Sequence, residues 1–334
     1  MRFFKRIWDK LTQPEIEQAL IVLVPFVTFV IVAVILLPTI LRLVQLPEPS
    51  LYPPDHTPII ETAPPAPSGS PIAEASPSPQ PSPTPSPTAD PNVPGWREYN
   101  GKRFYADGSG GVYTGLQSIG GKLYFFDQDG VAAEHLGIDV SFYNDFIDWT
   151  MVERSGIDFA LLRVGGRGWE TGRIYADAWF LPNLIRVQQT DIDIGLYFFS
   201  TATNAAEARQ EAEFVLQQLN GMELQLPIYI DVEYSGNYPK GRADKLGLAQ
   251  REHIIDAFCK RIEQEGYSAG VYTGLHYLRY ELSPHAVQDR SLWLANYTRG
   301  GRRPAIDRDY HIWQFTENGH IAGISGKVDM NAIF

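Results

Sequence analysis

Apolar and polar positions follow two different periods over the last two hundred residues of the chain. Short apolar runs recur at 137–140, 159–164, 194–200, 227–232, 269–272, 292–296, 311–315 and 328–330. Their length and their Gly-, Pro- and Asp-rich flanks predict buried strands. Between the early runs, AAEARQEAEFVLQQL at 205–219 and the stretch 249–265 carry the helical period instead. Strand–helix alternation predicts a mostly parallel α/β sheet, and eight strands in this length predict closure into a TIM-like barrel over 137–334. Little helix separates the last strands, so the barrel is expected to be irregular.

Upstream the pattern changes three times. Residues 19–41 read ALIVLVPFVTFVIVAVILLPTIL, 23 residues without a charge. At ~1.5 Å per residue they are long enough for a tilted transmembrane helix through a ~30 Å hydrocarbon core. Arg2, Lys5, Arg6 and Lys10 precede the run and only Arg42 follows closely. That bias predicts a cytoplasmic tail at 1–18 and everything beyond the span outside the cell, anchored to the cell membrane. Residues 42–94 form a Pro/Ser-rich linker that includes SPSPQPSPTPSPT, a composition that buries no core and is expected to be disordered and extended. Residues 95–133 repeat with a period of 20: Gly101-Lys102 recurs as Gly121-Lys122 and Phe104-Tyr105 as Tyr124-Phe125, with Asp107 corresponding to Asp127. Short aromatic strands between Gly-rich turns predict two β-hairpins, as a spacer packed on the next domain or as a ligand-binding stack.

Charge narrows the partners. The net charge is −11, which argues against nucleic acid, and residues 1–46 carry +2 of it, leaving −13 on the rest. Long-range attraction would not hold such a surface on an anionic wall, so a shaped site would have to. Cys259 is the single cysteine, which rules out an intramolecular disulfide; it sits in a helical pattern and reads as a small buried residue. The seven histidines show no metal-ligand spacing, so neither a metal nor another cofactor is expected, and the chain is expected to act as a monomer.

The candidate chemistry lies in carboxylates at the strand ends. Asp139 ends the first barrel strand, Asp231 and Glu233 end the fourth, and Asp329 lies in the last. Residues two apart on a strand share a face, so Asp231 and Glu233 both point into the mouth, ~6–7 Å apart along the strand. Carboxylates converging on one pocket raise the proton affinity of at least one of them. One acid protonated beside another that stays ionised is what cleavage of a glycosidic bond requires. Tyr197, Trp293, Tyr297 and Trp313 lie at or near strand ends, where flat rings suit pyranose faces; packing is the competing role for each, and Trp293 alternates with Leu292 and Leu294.

The motifs GIDVS at 137–141, GLYFF at 195–199, PIYIDVE at 227–233 and GVYT at 270–273 fall in the order and spacing of family 25 glycoside hydrolases. So do LWLANY at 292–297, IWQF at 312–315 and VDMN at 328–331, and together the chain resembles that family over 137–334. The resemblance implies a barrel of five β/α units and three further strands, and a lysozyme (muramidase) cutting the β-1,4 bond from N-acetylmuramic acid to N-acetylglucosamine in peptidoglycan. It implies Glu233 as general acid and Asp231 as the group stabilising positive charge, through the substrate's N-acetyl group. Asp139 and Asp329 would hold sugar hydroxyls or tune Glu233. Attack by the acetamide and attack by water both remain open. The hairpin repeats resemble choline- or glucan-binding wall repeats, with Arg103 and Leu123 where those usually carry Trp. A catalytically silent wall-binding scaffold is the alternative, and chitin-like substrates lack their usual DxxDxDxE signature here.

Overall fold

Eight strands close into one barrel. In chain order they are β5 (His135–Val140), β6 (Phe159–Arg167), β8 (Asp193–Phe199), β9 (Ile228–Asp231), β10 (Ala269–Gly274), β11 (Ser291–Ala295), β12 (Ile312–Gly319) and β13 (Val328–Ile333). They pair in the order β5-β13-β12-β11-β10-β9-β8-β6, and a β5–β6 pairing shuts the ring. All neighbours run parallel except β13, which is antiparallel to both β12 and β5. This computed structural model describes residues 92–236 and 238–334. The expected tail 1–18, the apolar run 19–41 and nearly all of the linker 42–94 lie outside the described residues. Among those described, no helix is long and apolar enough to cross a membrane.

Helices α1 (Trp149–Arg154), α2 (Phe180–Val187), α3 (Ala205–Leu219), α4 (Leu248–Glu263) and α5 (Leu275–Tyr280) each follow one of the first five barrel strands. No α-helix separates β11, β12 and β13, so the chain runs as five β/α units and then three strands. The periodicity located α3 and, within two residues, α4. It did not single out α1, α2 and α5, of six to eight residues each, or a three-residue strand β7 (Ile174–Ala176), which pairs antiparallel with β6 outside the ring. One or two helical turns carry too few positions to establish a period. Their ends are marked chemically: Asp148 accepts from the Met151 amide at 3.1 Å at the start of α1. Asn204 caps α3 by accepting from the amides of Ala206 and Glu207, both at 3.0 Å.

The alternation along each strand divides the core in two. Outward residues such as Ile138, Leu162, Leu196, Ile230 and Val271 pack under the helices. Inward residues Phe159, Leu161, Tyr197, Tyr229, Tyr272, Trp293 and Ile312 fill the ring. Glycines make room for these rings. A Cβ on Gly137 would lie 2.4 Å from the Phe159 ring, and one on Gly270 would lie 2.4 Å from that of Tyr229. The interior is thus a packed aromatic plug below the mouth, as expected for a barrel of this size.

The period-20 repeat folds as two hairpins, β1 (Gly95–Tyr99) with β2 (Lys102–Ala106) and β3 (Gly115–Ile119) with β4 (Lys122–Phe126). Asp107 and Asp127 build the same turn: each accepts through Oδ1 from amides two and four residues on. The hairpins join through rings, with Trp96 5.0 Å from Tyr124 and 5.8 Å from Phe126. The second hairpin is seated on the barrel. Phe125 stacks on Phe315 at 3.8 Å, the Leu123 amide donates to the Ser155 carbonyl at 2.7 Å, and Arg303 pairs with Asp127 at 2.7 Å. Residues 115–133 are thus packed on the barrel, as the spacer alternative expects of them.

Candidate active site

Strand register brings the four acids to one end of the barrel. Asp139 sits opposite Asp329 in the β5–β13 ladder, and Asp231 lies level with Phe199 on β8 and Tyr272 on β10. Glu233 follows two residues beyond the end of β9. Its backbone is held on both sides: Val232 donates its amide to the Tyr272 carbonyl at 3.1 Å, and Asp244 accepts from the Ser235 amide at 2.9 Å and the Ser235 hydroxyl at 2.7 Å. Asp139 and Asp231 are buried, Asp329 is half-buried, and Glu233 is exposed.

Asp139 is the best-satisfied member. Its Oδ2 accepts from Gln314 Nε2 at 2.7 Å and Asn331 Nδ2 at 2.9 Å, and Asp329 lies opposite it on β13. Burial raises Asp139 to about 6, held from going higher by the bonds from Asn331 and Gln314. Burial, then Asp139, Glu317 and Glu233, push Asp329 up.

Asp231 is the opposite case. Its Oδ1 is buried with no hydrogen-bond partner, and burial, then Glu233 and Asp139, raise its pKa well above the usual range. Glu233 is raised to about 7 by its crowded surroundings and then by Asp139. Water still reaches Glu233 and screens part of that repulsion. The cluster therefore holds shared protons near neutrality, and its titration belongs to the group rather than to one residue.

Arg163 is the cation that acts on three of the acids. Arg163, buried on β6, donates from Nε to Asp177 at 2.8 Å, while its Nη2 is buried without a partner. Its charge lowers the proton affinity of Asp139, Asp231 and Glu233. Asp177 in turn accepts from the amides of Phe142 and Trp179.

The ring candidates divide. Tyr297 is 49% exposed beside the acids, and its hydroxyl donates to Gln314 Oε1 at 2.8 Å. Tyr197 is almost covered in the plug below the acids. Trp293 points inward, not outward, yet is 1% exposed and donates from Nε1 to Asn331 at 2.8 Å. Trp313 is fully covered on the outer face of β12 under the hairpin ring Phe125, 5.5 Å away. Neither tryptophan has a free face for a sugar; both pack. Arg163, Asp177, Tyr272, Gln314 and Asn331 were missed from sequence. The available signal was a polar residue within an apolar strand: Arg in FALLRV, Gln in IWQF and Asn in VDMN.

All four carboxyls have folded-state pKa values above the ~4 of an unfolded carboxylate. Stability from this cluster is fully present below about pH 4 and is lost as pH rises through the folded values, about 6 for Asp139 and about 7 for Glu233. Asp231→Asn keeps the shape and removes one repelling charge. It is expected to raise the melting temperature at pH 8 and to leave it nearly unchanged at pH 4. Thermal melts at the two pH values check this; an equal shift at both would place the effect outside the cluster.

A cavity at the N-terminal strand ends, lined by Pro227, Ser268, Ser291 and His311, lies on the barrel face opposite the acids. Barrel chemistry belongs to the C-terminal face, where the acids are. Among the described residues no His, Cys, Asp and Glu group is arranged to hold a metal ion.

Comparison with known proteins agrees with this geometry. The family described as Glycosyl hydrolases family 25 matches residues 138–324, and a cell wall binding repeat matches 114–132. The autolytic lysozyme of Clostridium acetobutylicum is 25% identical over 195 residues, 58% of this chain and 54% of that protein. The chain thus spans about half the length of that relative. Among solved structures, the modular autolysin LytC of Streptococcus pneumoniae, in complex with a synthetic peptidoglycan ligand, superposes with a TM-score of 0.57 at 23% identity, over 72% of this chain and 58% of that one. The spore cortex lytic enzyme SleM of Clostridium perfringens gives a TM-score of 0.52 at 25% identity, over 60% and 67%. With more than half of its residues matched by the family, in a barrel whose acids gather at one rim, the chain belongs to the glycosyl hydrolases of family 25.

Proposed function

We propose that this protein is a peptidoglycan muramidase, hydrolysing the β-1,4 bond between N-acetylmuramic acid and N-acetylglucosamine during cell-wall remodelling. It acts as a monomer on glycan strands outside the membrane, tethered by residues 19–41 with the N-terminus cytoplasmic. The observation that carries the reading is the pairing of a buried, unpartnered Asp231 Oδ1 with the solvent-reaching Glu233.

Glu233 is the general acid. Its proton passes to the glycosidic oxygen as the bond from that oxygen to the anomeric carbon breaks, and positive charge builds on the sugar ring. The acetamide N–H of that sugar supplies the donor that Asp231 Oδ1 lacks. Such a bond favours the Asp231 anion, which leaves the shared proton with Glu233 and sets a negative charge where the positive one develops. Water finally adds its hydroxyl to the anomeric carbon and returns a proton to Glu233, whether or not the acetamide oxygen attacks first. Asp139 and Asp329 act beneath this pair: with Gln314 and Asn331 they fix the floor and keep a negative charge near Glu233. Tyr297 offers the accessible ring at the rim.

The test is the identity of the new chain end. Peptidoglycan digested by the protein and reduced with borohydride is expected to yield muramitol. Glucosaminitol would mean cleavage of the other glycosidic bond, and no new ends would mean a wall-binding scaffold.

A further inference from the structure

We infer that the β3–β4 hairpin is a wall of the substrate groove, its Leu116 and the barrel rim around Tyr297 forming a distal subsite for one sugar of a long glycan strand. This rests on the glycan-hydrolase reading above and extends it to a part of the chain whose match is to a wall-binding repeat.

A cavity of ≈ 530 Å³ opens between hairpin and barrel, within the ~300–1,000 Å³ usual for small-ligand sites. It is lined by Leu116 from the hairpin, Tyr297 and Thr298 from beyond β11, and Phe315, Asn318 and His320 from β12 and the residue after it. Three observations connect it to a glycan. First, Tyr297 belongs to both places: its ring lines the cavity and its hydroxyl holds Gln314, which donates to Asp139. A polymer leaving the mouth past Tyr297 enters this cavity. Second, the hairpin side is fixed rather than loosely tethered. Besides the Phe125–Phe315 stack and the Arg303–Asp127 pair, Gln128 donates its amide to the Gly301 carbonyl at 3.0 Å. Leu116 is 36% exposed on this immobile edge, an apolar side chain that the hairpin's own packing leaves uncovered. Third, the chemistry suits a neutral pyranose: the exposed Tyr297 ring and Leu116 for its apolar face, and Thr298, Thr316 and Asn318 at the edge for hydroxyl and acetamide groups. No acidic residue lines the cavity and Arg299 does, so a cationic ligand meets a like charge there and no counter-charge.

The test uses the full-length protein and peptide-free glycan strands of two lengths, a tetrasaccharide and a long strand. Leu116→Asp is expected to raise KM for the long strand about tenfold, without changing kcat on it or either constant for the tetrasaccharide. Leu116→Ser, which deletes the apolar wall without adding charge, moves KM the same way by a smaller factor. Unchanged tetrasaccharide kinetics also report that each variant is folded. Equal effects on both lengths, or none on either, overturn the subsite while leaving the muramidase reading intact. In a third arm, the same long strand carrying its stem peptides, an effect of Leu116→Asp that the peptide-free strand does not show overturns it too, since Arg299 and His320 would then be holding a stem peptide. A wild-type protein that cleaves neither glycan sinks the muramidase reading and this subsite together.

Discussion

Glu233→Gln is expected to lower kcat by roughly 10²–10⁴-fold, the usual contribution of a positioned general acid. Glutamine keeps the shape and the hydrogen-bonding reach of the side chain but has no proton to give the leaving oxygen. Its neighbours should hardly move, because Glu233 is exposed and its backbone is tied through Val232 and Ser235 rather than through its carboxyl. Glycan affinity is therefore expected to stay within a few-fold of wild type, and affinity measured on the inert variant separates the two effects. The variant also relieves a repulsion: Asp231 has Glu233 as the first charge that raises it. Its melting temperature at pH 8 should accordingly be no lower than that of the wild type. Turnover comparable to the wild type would remove Glu233 from its role and leave Asp329, the other acid with solvent contact, as the donor.

The eight strands and the four acids were legible because each depends on short-range pattern. An apolar run names a strand, the C-terminal end of a parallel strand places Asp139 and Asp231 at the mouth, and Asp231 and Glu233, two apart, must share a face. Asp329 reaches the same rim from the start of the antiparallel β13. What could not be read is what faces each strand from far along the chain. Trp313 and Gln314 are sequence neighbours on opposite faces of β12, so one lies under Phe125 while the other reaches Asp139. The IWQF pattern does not say which face is inside. Register shifts interrupt the β12–β13 ladder after Gln314, so counting by twos along this strand fails there as well. The direction of Trp293 stayed open in the sequence because Leu292 and Leu294 flank it; the leucines pack under helices and the tryptophan fills the ring. Both faces of a parallel strand are apolar, so apolar neighbours carry no direction. Arg163 stands out in the sequence as a polar residue within an apolar strand, but its role could not be read, because that role depends on Asp177, fourteen residues on, beside a strand too short to be recognised.

Arg163→Met is expected to cause the largest loss of stability among single changes at the site, on the order of 3–5 kcal/mol, the range for removing one partner of a buried ion pair. Asp177 is left with its side chain fully covered and only the amides of Phe142 and Trp179 as partners. For a domain of this size that corresponds to a fall in melting temperature on the order of 10 °C. Packing alone would end the effect there, but Arg163 is also the cation that lowers the proton affinity of Asp139, Asp231 and Glu233. Removing it lets each of them hold its proton to higher pH. In the wild type kcat/KM should fall as pH rises through about 7, where Glu233 loses the proton it must donate. In Arg163→Met that alkaline limb should move upward, and in Arg163→Lys, which keeps the charge but not the planar fork, it should stay near its original place while part of the stability is still lost. Pairs of pH–rate profiles and melts on the two variants therefore separate charge from packing. A limb that stays put when the guanidinium is replaced by a thioether would show that Arg163 only braces Asp177, and that the acids set their proton count without it.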